Sequence, residues 1–174
     1  HDSLHWPVVF LGCILAGVVP VAVNTLLTSQ DYQFMLQDSR ARGLLVSKSL
    51  WPSFAPIIDH CAHVKHIMTE TADTALGGIA IDDLIKANSP LVQVAPTLAD
   101  DVCFWLYSSG STGSPKGTVH LHSHVIQTAE LYGRAVLGLK EDDVVYSAAK
   151  LFFAYGLGNA LSFPLAVGAT TVLL

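Results

Sequence analysis

The chain has 174 residues, of which 51% are hydrophobic and 13% charged, and its formal net charge is −5. This apolar content is enough for a substantial core and argues against a disordered chain. Nine scattered Lys and Arg residues form no basic patch, which argues against nucleic acid as a partner. The three cysteines (Cys13, Cys61 and Cys103) lie at irregular spacing in apolar surroundings, which indicates reduced thiols and a cytoplasmic protein.

The first segment, residues 4–27, has no formally charged side chain and is long enough to be weighed as a membrane span. Pro7, Gly17 and Pro20 interrupt it and divide it into a predicted helix over residues 7–16 and a strand over 18–23. We therefore expect part of a buried α/β core rather than a bilayer span. No signal peptide is expected, because His1 and Asp2 stand where a positive segment would be.

Helices and strands are then predicted in alternation. Thr28, with Asp31 three residues later, has the pattern of a capped helix that runs to about residue 39, with Tyr32, Met35 and Leu36 on one face. The next predictions are a strand over 44–47, a helix near 50–61 and a strand over 64–68. This order predicts an α/β fold with a mainly parallel β-sheet flanked by helices.

The second half continues this pattern after a mostly irregular stretch over residues 69–100, which contains a short predicted helix at 81–87. Strands at 102–107 and 144–148 bracket a predicted helix over 123–137. The chain starts at His1 and stops inside a predicted strand at 171–174, so we expect it to be a fragment of a longer protein.

The stretch YSSGSTGSPKGT, residues 107–118, combines hydroxyl side chains, three glycines and one lysine directly after an apolar strand. Free backbone N–H groups, hydroxyls and an ammonium group are donors to phosphate oxygens. The spacing matches neither the Walker A loop nor the G-x-G-x-x-G dinucleotide pattern. A polar turn between two strands is the alternative interpretation.

The order of residues in 107–117 resembles the phosphate-binding signature of adenylate-forming enzymes, which include acyl-CoA synthetases, luciferases and nonribosomal-peptide adenylation domains. The resemblance continues through residues 119–124, and the segments 10–47 and 137–174 also look like that superfamily. It implies that residues 1–174 are a fragment of the N-terminal AMP-binding domain. The family's C-terminal domain would then be absent from this chain.

The resemblance also implies a reaction. In that family the loop holds the phosphates of ATP while a substrate carboxylate attacks the α-phosphorus, and the acyl-adenylate then reacts with coenzyme A. The implied nucleotide-binding residues are Ser108, Ser109, Gly110, Ser111, Thr112, Gly113 and Lys116. Lys116 is also the implied catalytic residue, since its charge screens the reacting phosphates. Mg²⁺ is expected with ATP, although no ligand for it can be named.

The segment 137–174 most closely resembles benzoate-CoA ligases among the aryl-CoA ligases. Phe153, Ala154, Tyr155 and Gly156 lie where the family builds one wall of the acyl pocket. Many relatives have histidine where Phe153 stands, and an aromatic there beside small residues suits a flat ring. A buried aromatic cluster is the alternative interpretation of these residues.

The resulting prediction is an ATP-dependent ligase that converts benzoate to benzoyl-CoA, with this fragment inactive by itself. Two alternatives stay open: a ligase for another aryl or acyl carboxylate, and a nucleotide-binding or membrane-associated module without ligase chemistry. The expected partners are an aromatic carboxylate, ATP and coenzyme A, without nucleic acid or membrane. A homodimer is the assembly that the resemblance allows.

Several polar clusters resemble metal sites but are assigned other roles. They are His60, Cys61, His63 and His66; His120, His122 and His124; and Glu141, Asp142 and Asp143. The first lacks a shared helical face, an N-cap predicted at Ser123 breaks the alternation of the second, and the third reads as a polar turn. Cys103, in mid-strand, is predicted to be an inert core thiol.

Overall fold

The structure is a computed structural model that describes residues 2–71, 77–90, 92–108 and 113–173. The chain forms two compact units. The first comprises Thr25–Val92 and Tyr107–Gly117, and the second Asp2–Asn24, Gln93–Leu106 and Thr118–Leu174. Each unit is built from short helices and strands.

The helices and strands alternate along most of the chain. The helices are α1 (His5–Leu15), α2 (Ser29–Asp38), α3 (Trp51–Phe54), α4 (Ile81–Ala87), α5 (His122–Thr128), α6 (Ala154–Leu157) and α7 (Phe163–Val167). The strands are β1 (Val21–Ala22), β2 (Gly43–Leu45), β3 (His66–Thr69), β4 (Ile79–Ala80), β5 (Val102–Ser108), β6 (Lys116–Leu121), β7 (Val144–Tyr146) and β8 (Thr170–Val172).

Three small sheets contain these strands, in the orders β1-β5-β6, β2-β3-β4 and β7-β8. The pairs β1–β5, β2–β3, β3–β4 and β7–β8 are all parallel. Parallel pairs need a crossover connection: α2 lies between β1 and β5, α3 between β2 and β3, and α6 and α7 between β7 and β8. The α/β class predicted from the sequence is confirmed.

Helix α2 organises the first unit. Its N-terminus is fixed by the predicted capping box, in which Asp31 N–H donates to Thr28 Oγ1 at 3.2 Å and Thr28 N–H donates to Asp31 Oδ2 at 3.1 Å. Tyr32, Met35 and Leu36 are buried, as the sequence pattern predicts, and the Tyr32 ring stacks on Phe54 at 4.4 Å. The apolar face and the cap together hold α2 in a defined place.

The single helix predicted near residues 50–61 is wrong. The structure has a 3₁₀ turn at Lys48–Leu50, the short helix α3, and a second 3₁₀ turn at Ile58–His60. Pro52 fits the first turn of α3, where its missing N–H costs nothing, whereas Pro56 cannot donate a helical hydrogen bond and ends the helix.

The second unit is packed around strand β5. Its core contains Phe10, Ala22, Cys103, Phe104, Leu106, Phe152 and Leu157. The side chains of Cys103, Phe104 and Leu106 are almost fully buried, and the Phe10 and Phe104 rings meet edge to face at 5.4 Å. Burial of these side chains supplies most of the local driving force for folding.

Strand β6 leads directly into helix α5. The N-cap of α5 is Leu121, not the predicted Ser123, because the Leu121 N–H donates to Nδ1 of His124 at 3.2 Å. Only His120 of the three alternating histidines therefore lies on a strand. Helix α5 continues as a π-helical segment, Ala129–Arg134. Together, α5 and this segment account for most of the helix predicted over 123–137.

The second unit also contains α1, which corresponds to the helix predicted within the uncharged run of residues 4–27. Among the residues that the structure describes, no helix has both the length and the apolar composition needed to cross a bilayer.

We predict that Gly156→Ala destabilises the protein. A Cβ at this position would lie 2.0 Å from the Lys150 carbonyl oxygen and 2.7 Å from the Ala149 carbonyl oxygen, so the backbone would have to move. Overpacking of this kind costs about 1–3 kcal/mol. Urea denaturation measures the loss in the free energy of unfolding. Gly12→Ala is the matched control, because a Cβ there meets no heavy atom within 4 Å; equal effects of the two substitutions would contradict the prediction.

A second prediction concerns the loss of folding stability at acid pH. The His120 ring stacks on Phe104 at 4.6 Å and meets the edge of His124 at 5.7 Å. Burial, and secondarily the charge of His124, lower the pKa of His120 below its ordinary 6.5. The unfolded chain thus binds a proton more readily than the folded one, so this contribution to stability is present above pH 6.5 and is lost as the pH falls toward the lowered pKa.

His120→Phe should therefore lose less stability than the wild type when the pH is lowered from about 7 to about 5. The measurement is the free energy of unfolding at both pH values, with His63→Gln, an exposed histidine, as the control. Identical losses in the wild type and His120→Phe would show that His120 does not contribute.

Candidate functional site

The predicted phosphate loop connects two neighbouring strands of one sheet. Ser108 is the last residue of β5 and Lys116 the first residue of β6, and both side chains are exposed. Helix α5 is entered only after β6, so the loop does not lead directly into a helix. Four predicted nucleotide-binding residues, Ser109, Gly110, Ser111 and Thr112, lie outside the described residues.

The described end of the loop has the conformation that its sequence requires. Gly113 has a φ of +94°, in the region that L side chains rarely adopt, although a Cβ there would meet no heavy atom within 4 Å. The requirement for glycine is therefore set by the backbone conformation rather than by space. Within the described part of the chain, no carboxylate forms an ion pair with the Lys116 ammonium group. This exposed cation is chemically suited to an anionic ligand.

Tyr107 links the start of the loop to helix α2. Its hydroxyl donates to Oδ2 of Asp38 at 2.7 Å and approaches the Met35 carbonyl oxygen at 3.5 Å. Burial raises the pKa of Tyr107, and the hydrogen bond to Asp38 raises it further, so the hydroxyl keeps its proton and remains the donor.

This contact is not predicted from the sequence. Tyr107 belongs to the glycine-rich stretch 107–118, but Asp38 lies 69 residues away along the chain. A pairing of one tyrosine with one carboxylate over that distance leaves no periodic or spacing signal in a single sequence.

The predicted acyl-pocket residues lie in the second unit, at the start of α6. Phe153 is the N-cap of α6 and is 48% exposed, and Tyr155 is 69% exposed. Gly156 is buried against the Lys150 carbonyl oxygen. Phe152, the preceding aromatic, is the one that enters the core. The alternative interpretation, a buried aromatic cluster, thus applies to Phe152. Phe153 and Tyr155 are accessible.

A partly open cavity of about 320 Å³ lies in the same unit. Its walls are mainly apolar and include Phe104, Val125, Leu161 and Phe163. Of the four predicted substrate-binding residues, Ala154 lines this cavity and Phe153, Tyr155 and Gly156 do not.

The histidines and acids singled out in the sequence do not assemble a metal centre among the residues that the structure describes. The His120 ring stacks on Phe104, and His124 accepts a backbone hydrogen bond that fixes the start of α5. Asp143 accepts from the Lys140 N–H at 2.8 Å, which is the polar turn predicted for residues 141–143.

The three cysteines are free thiols, and Cys61 and Cys103 are buried. Burial raises the pKa of all three, so they stay protonated at neutral pH. Cys103 packs in the core of the second unit, which agrees with the inert thiol predicted from the sequence.

Comparison with known proteins extends these observations. The chain is 56% identical to the benzoate–CoA ligase of Thauera aromatica over 99% of its own length, which is 32% of that relative. The crystal structure of a benzoate CoA ligase from Burkholderia xenovorans LB400 matches 99% of the chain with a TM-score of 0.88 and 46% identity, over 33% of that structure. An anthranilate CoA ligase in complex with anthranoyl-AMP matches 99% of the chain with a TM-score of 0.94 and 36% identity, again over 33% of that structure.

The chain thus spans about a third of the length of these relatives. The model of the AMP-binding enzyme family matches residues 1–174, the whole chain. This match agrees with the resemblance of the loop that follows β5 and with the parallel strand pairs of the fold. The chain belongs to the AMP-binding enzyme family.

Proposed function

We propose that this chain is part of the N-terminal AMP-binding domain of a longer ligase that activates benzoate with ATP and transfers the acyl group to coenzyme A. The observation that carries the proposal is the 56% identity to a benzoate–CoA ligase along 99% of the chain. The alignment extends over 99% of the chain, so it covers both the loop and the segment around Phe153.

The proposed first step is adenylation. A carboxylate oxygen of benzoate attacks the α-phosphorus of ATP, an O–P bond forms, and the bond to the β-phosphate oxygen breaks so that pyrophosphate leaves with the electron pair. The thiolate of coenzyme A then attacks the acyl carbon, and AMP leaves. Negative charge moves among the phosphate oxygens during the first step, and preorganised donors stabilise that charge.

The nucleotide-binding role is proposed for Ser108 through Lys116. Ser108 and Lys116 lie at the ends of neighbouring strands, with the left-handed backbone of Gly113 near the second end. Lys116 is proposed to interact with the phosphates through its ammonium group, while hydroxyl and backbone N–H donors of the loop contact the oxygens. The hydroxyls of Ser109, Ser111 and Thr112 are assigned by resemblance alone.

The acyl-binding role is proposed for Phe153, Ala154, Tyr155 and Gly156. Accessible aromatic rings at 153 and 155 are available to contact a flat apolar ligand, since aromatic pairs bury a large area with defined geometry. Gly156 is proposed to contribute through the backbone. Because it has no side chain, α6 can pack on the Lys150 carbonyl, and this packing places Phe153 and Tyr155.

A ligase for another aryl carboxylate is the second candidate. It is favoured by the match to the anthranilate CoA ligase, whose TM-score of 0.94 exceeds the 0.88 of the benzoate CoA ligase. The two candidates share the loop chemistry and differ in the ring that the acyl pocket accepts. Mg²⁺ as the partner of ATP, a cytoplasmic location and a homodimer remain predictions.

We predict that the full-length protein exchanges labelled pyrophosphate into ATP when benzoate is present. Lys116→Ala should lower the rate by about 100-fold, because it removes a preorganised positive charge from the reacting phosphates. Lys65→Ala is the matched control, since Lys65 is also an exposed lysine of the first unit and does not belong to the loop.

The outcomes separate the candidates. Exchange that requires anthranilate or another aryl acid instead of benzoate would support the second candidate and overturn the benzoate assignment. No exchange with any carboxylate would overturn ligase chemistry itself. Equal exchange rates for Lys116→Ala and Lys65→Ala would show that Lys116 does not act on the phosphates.

A second prediction tests the acyl wall. Tyr155→Ala should raise the KM for benzoate by about tenfold and change the KM for ATP little, because a lost ring contact weakens ground-state and transition-state binding alike. Tyr146→Ala is the control, since Tyr146 is another exposed tyrosine of the second unit, with 58% exposure against 69% for Tyr155. Steady-state kinetics that show the same KM for benzoate in both variants would refute the assignment.

A further inference from the structure

The contact between Tyr107 and Asp38 joins two parts of the first unit that differ in how firmly they are held. Helix α2 is fixed by its capping box and by three buried side chains on its inner face. Asp38 is the last residue of that helix. Its carboxylate is thus carried by a capped helix with a buried face.

Tyr107 stands on the other side of the contact, one residue before Ser108. At the described end of the loop that follows, Gly113, Ser114 and Lys116 are exposed, and Gly113 has a left-handed backbone conformation. Exposed residues make few packing contacts, so little packing holds this end of the loop. The hydrogen bond of 2.7 Å from the Tyr107 hydroxyl to Asp38 is therefore a direct tether between the start of the loop and the packed helix. A hydrogen bond to a charged acceptor is among the stronger kinds.

The charge of Asp38 is itself informative. A carboxylate at the C-terminal end of a helix faces the negative end of the helix dipole, which is an unfavourable place for it. The tyrosine hydroxyl supplies a donor at this position. An aspartate here is therefore better explained by its bond to Tyr107 than by helix stability.

We propose that Tyr107 and Asp38 are positioning residues, which hold the end of β5 so that Ser108 and the loop are preorganised for the phosphates of ATP. This inference rests on the proposed function in that it takes ATP as the ligand of the loop. Neither side chain touches the phosphates in this account. Their effect is exerted through the backbone at residues 107 and 108.

The test uses four variants of the full-length protein. Tyr107→Phe removes the hydroxyl and keeps the ring, and Asp38→Leu removes the acceptor. Asp38→Asn keeps an acceptor oxygen of the same reach and should rescue the contact. Tyr32→Phe is the matched control, because the Tyr32 hydroxyl also accepts a hydrogen bond in the first unit, from the Leu27 N–H at 3.3 Å, but lies outside the loop.

Two readouts separate positioning from general stability: the dissociation constant for Mg-ATP by isothermal titration calorimetry, and the unfolding midpoint. We expect Tyr107→Phe and Asp38→Leu to weaken Mg-ATP binding by about three- to tenfold, the effect of one lost hydrogen bond. Asp38→Asn should stay near the wild type. Tyr32→Phe should change the unfolding midpoint without changing Mg-ATP binding.

Other results overturn the inference. Unchanged Mg-ATP binding in Tyr107→Phe would do so, as would equal weakening in Tyr107→Phe and Tyr32→Phe, which would indicate destabilisation alone. Mg-ATP binding needs no carboxylate, so this test is independent of the acyl substrate. If the variants show the expected Mg-ATP affinities but the protein shows no benzoate-dependent pyrophosphate exchange, the inference stands and the benzoate ligase assignment is overturned. A wild-type protein that does not bind Mg-ATP would overturn both.

Discussion

Burial of strand β5 is the constraint on which the arrangement of the second unit depends. Cys103, Phe104 and Leu106 are almost fully buried, and the core is built from the residues that pack on them. The strand pairs with β1 on one side and β6 on the other. Its last residue, Ser108, begins the loop, so the apolar part of the strand determines where the polar loop emerges.

This arrangement places buried apolar residues and the residues proposed to bind ligand only a few positions apart along the chain. Side chains up to Leu106 supply apolar area, whereas Ser108, Ser114 and Lys116, among the described residues of the loop, are polar and exposed. Tyr107 lies between these two groups and combines apolar and polar contacts. Its side chain is half-buried, and its hydroxyl donates a hydrogen bond to the Asp38 carboxylate. Such a boundary is expected where a rigid scaffold carries a loop that must meet a charged ligand.

Local signals were enough to predict some elements from the sequence. The capping box at Thr28 and the buried face of α2 are encoded within a few residues, and α4 was predicted with its observed bounds, Ile81–Ala87. The helix predicted near 50–61 failed because Pro56 outweighed its apolar composition. β4 was missed because a strand of two residues has no alternation to detect.

In the candidate site too, local features could be predicted from the sequence, whereas the tertiary contact could not. The loop could be located from its residue order, and the left-handed Gly113 agrees with that order. The partner of Tyr107 could not be predicted, since tertiary folding alone brings Asp38 to it. For the segment proposed to bind the acyl group, the sequence could not separate the buried Phe152 from the accessible Phe153, because adjacent aromatics carry no periodicity that assigns one of them to the core.

The central claim is that the loop after β5 binds the phosphates and the segment at the start of α6 binds the ring. Hydrogen–deuterium exchange of the full-length protein tests it most directly. Mg-ATP alone should protect backbone amides within residues 108–117, and benzoate added with Mg-ATP should also protect amides near residues 153–159. Protection by Mg-ATP that leaves residues 108–117 unaffected would contradict the account.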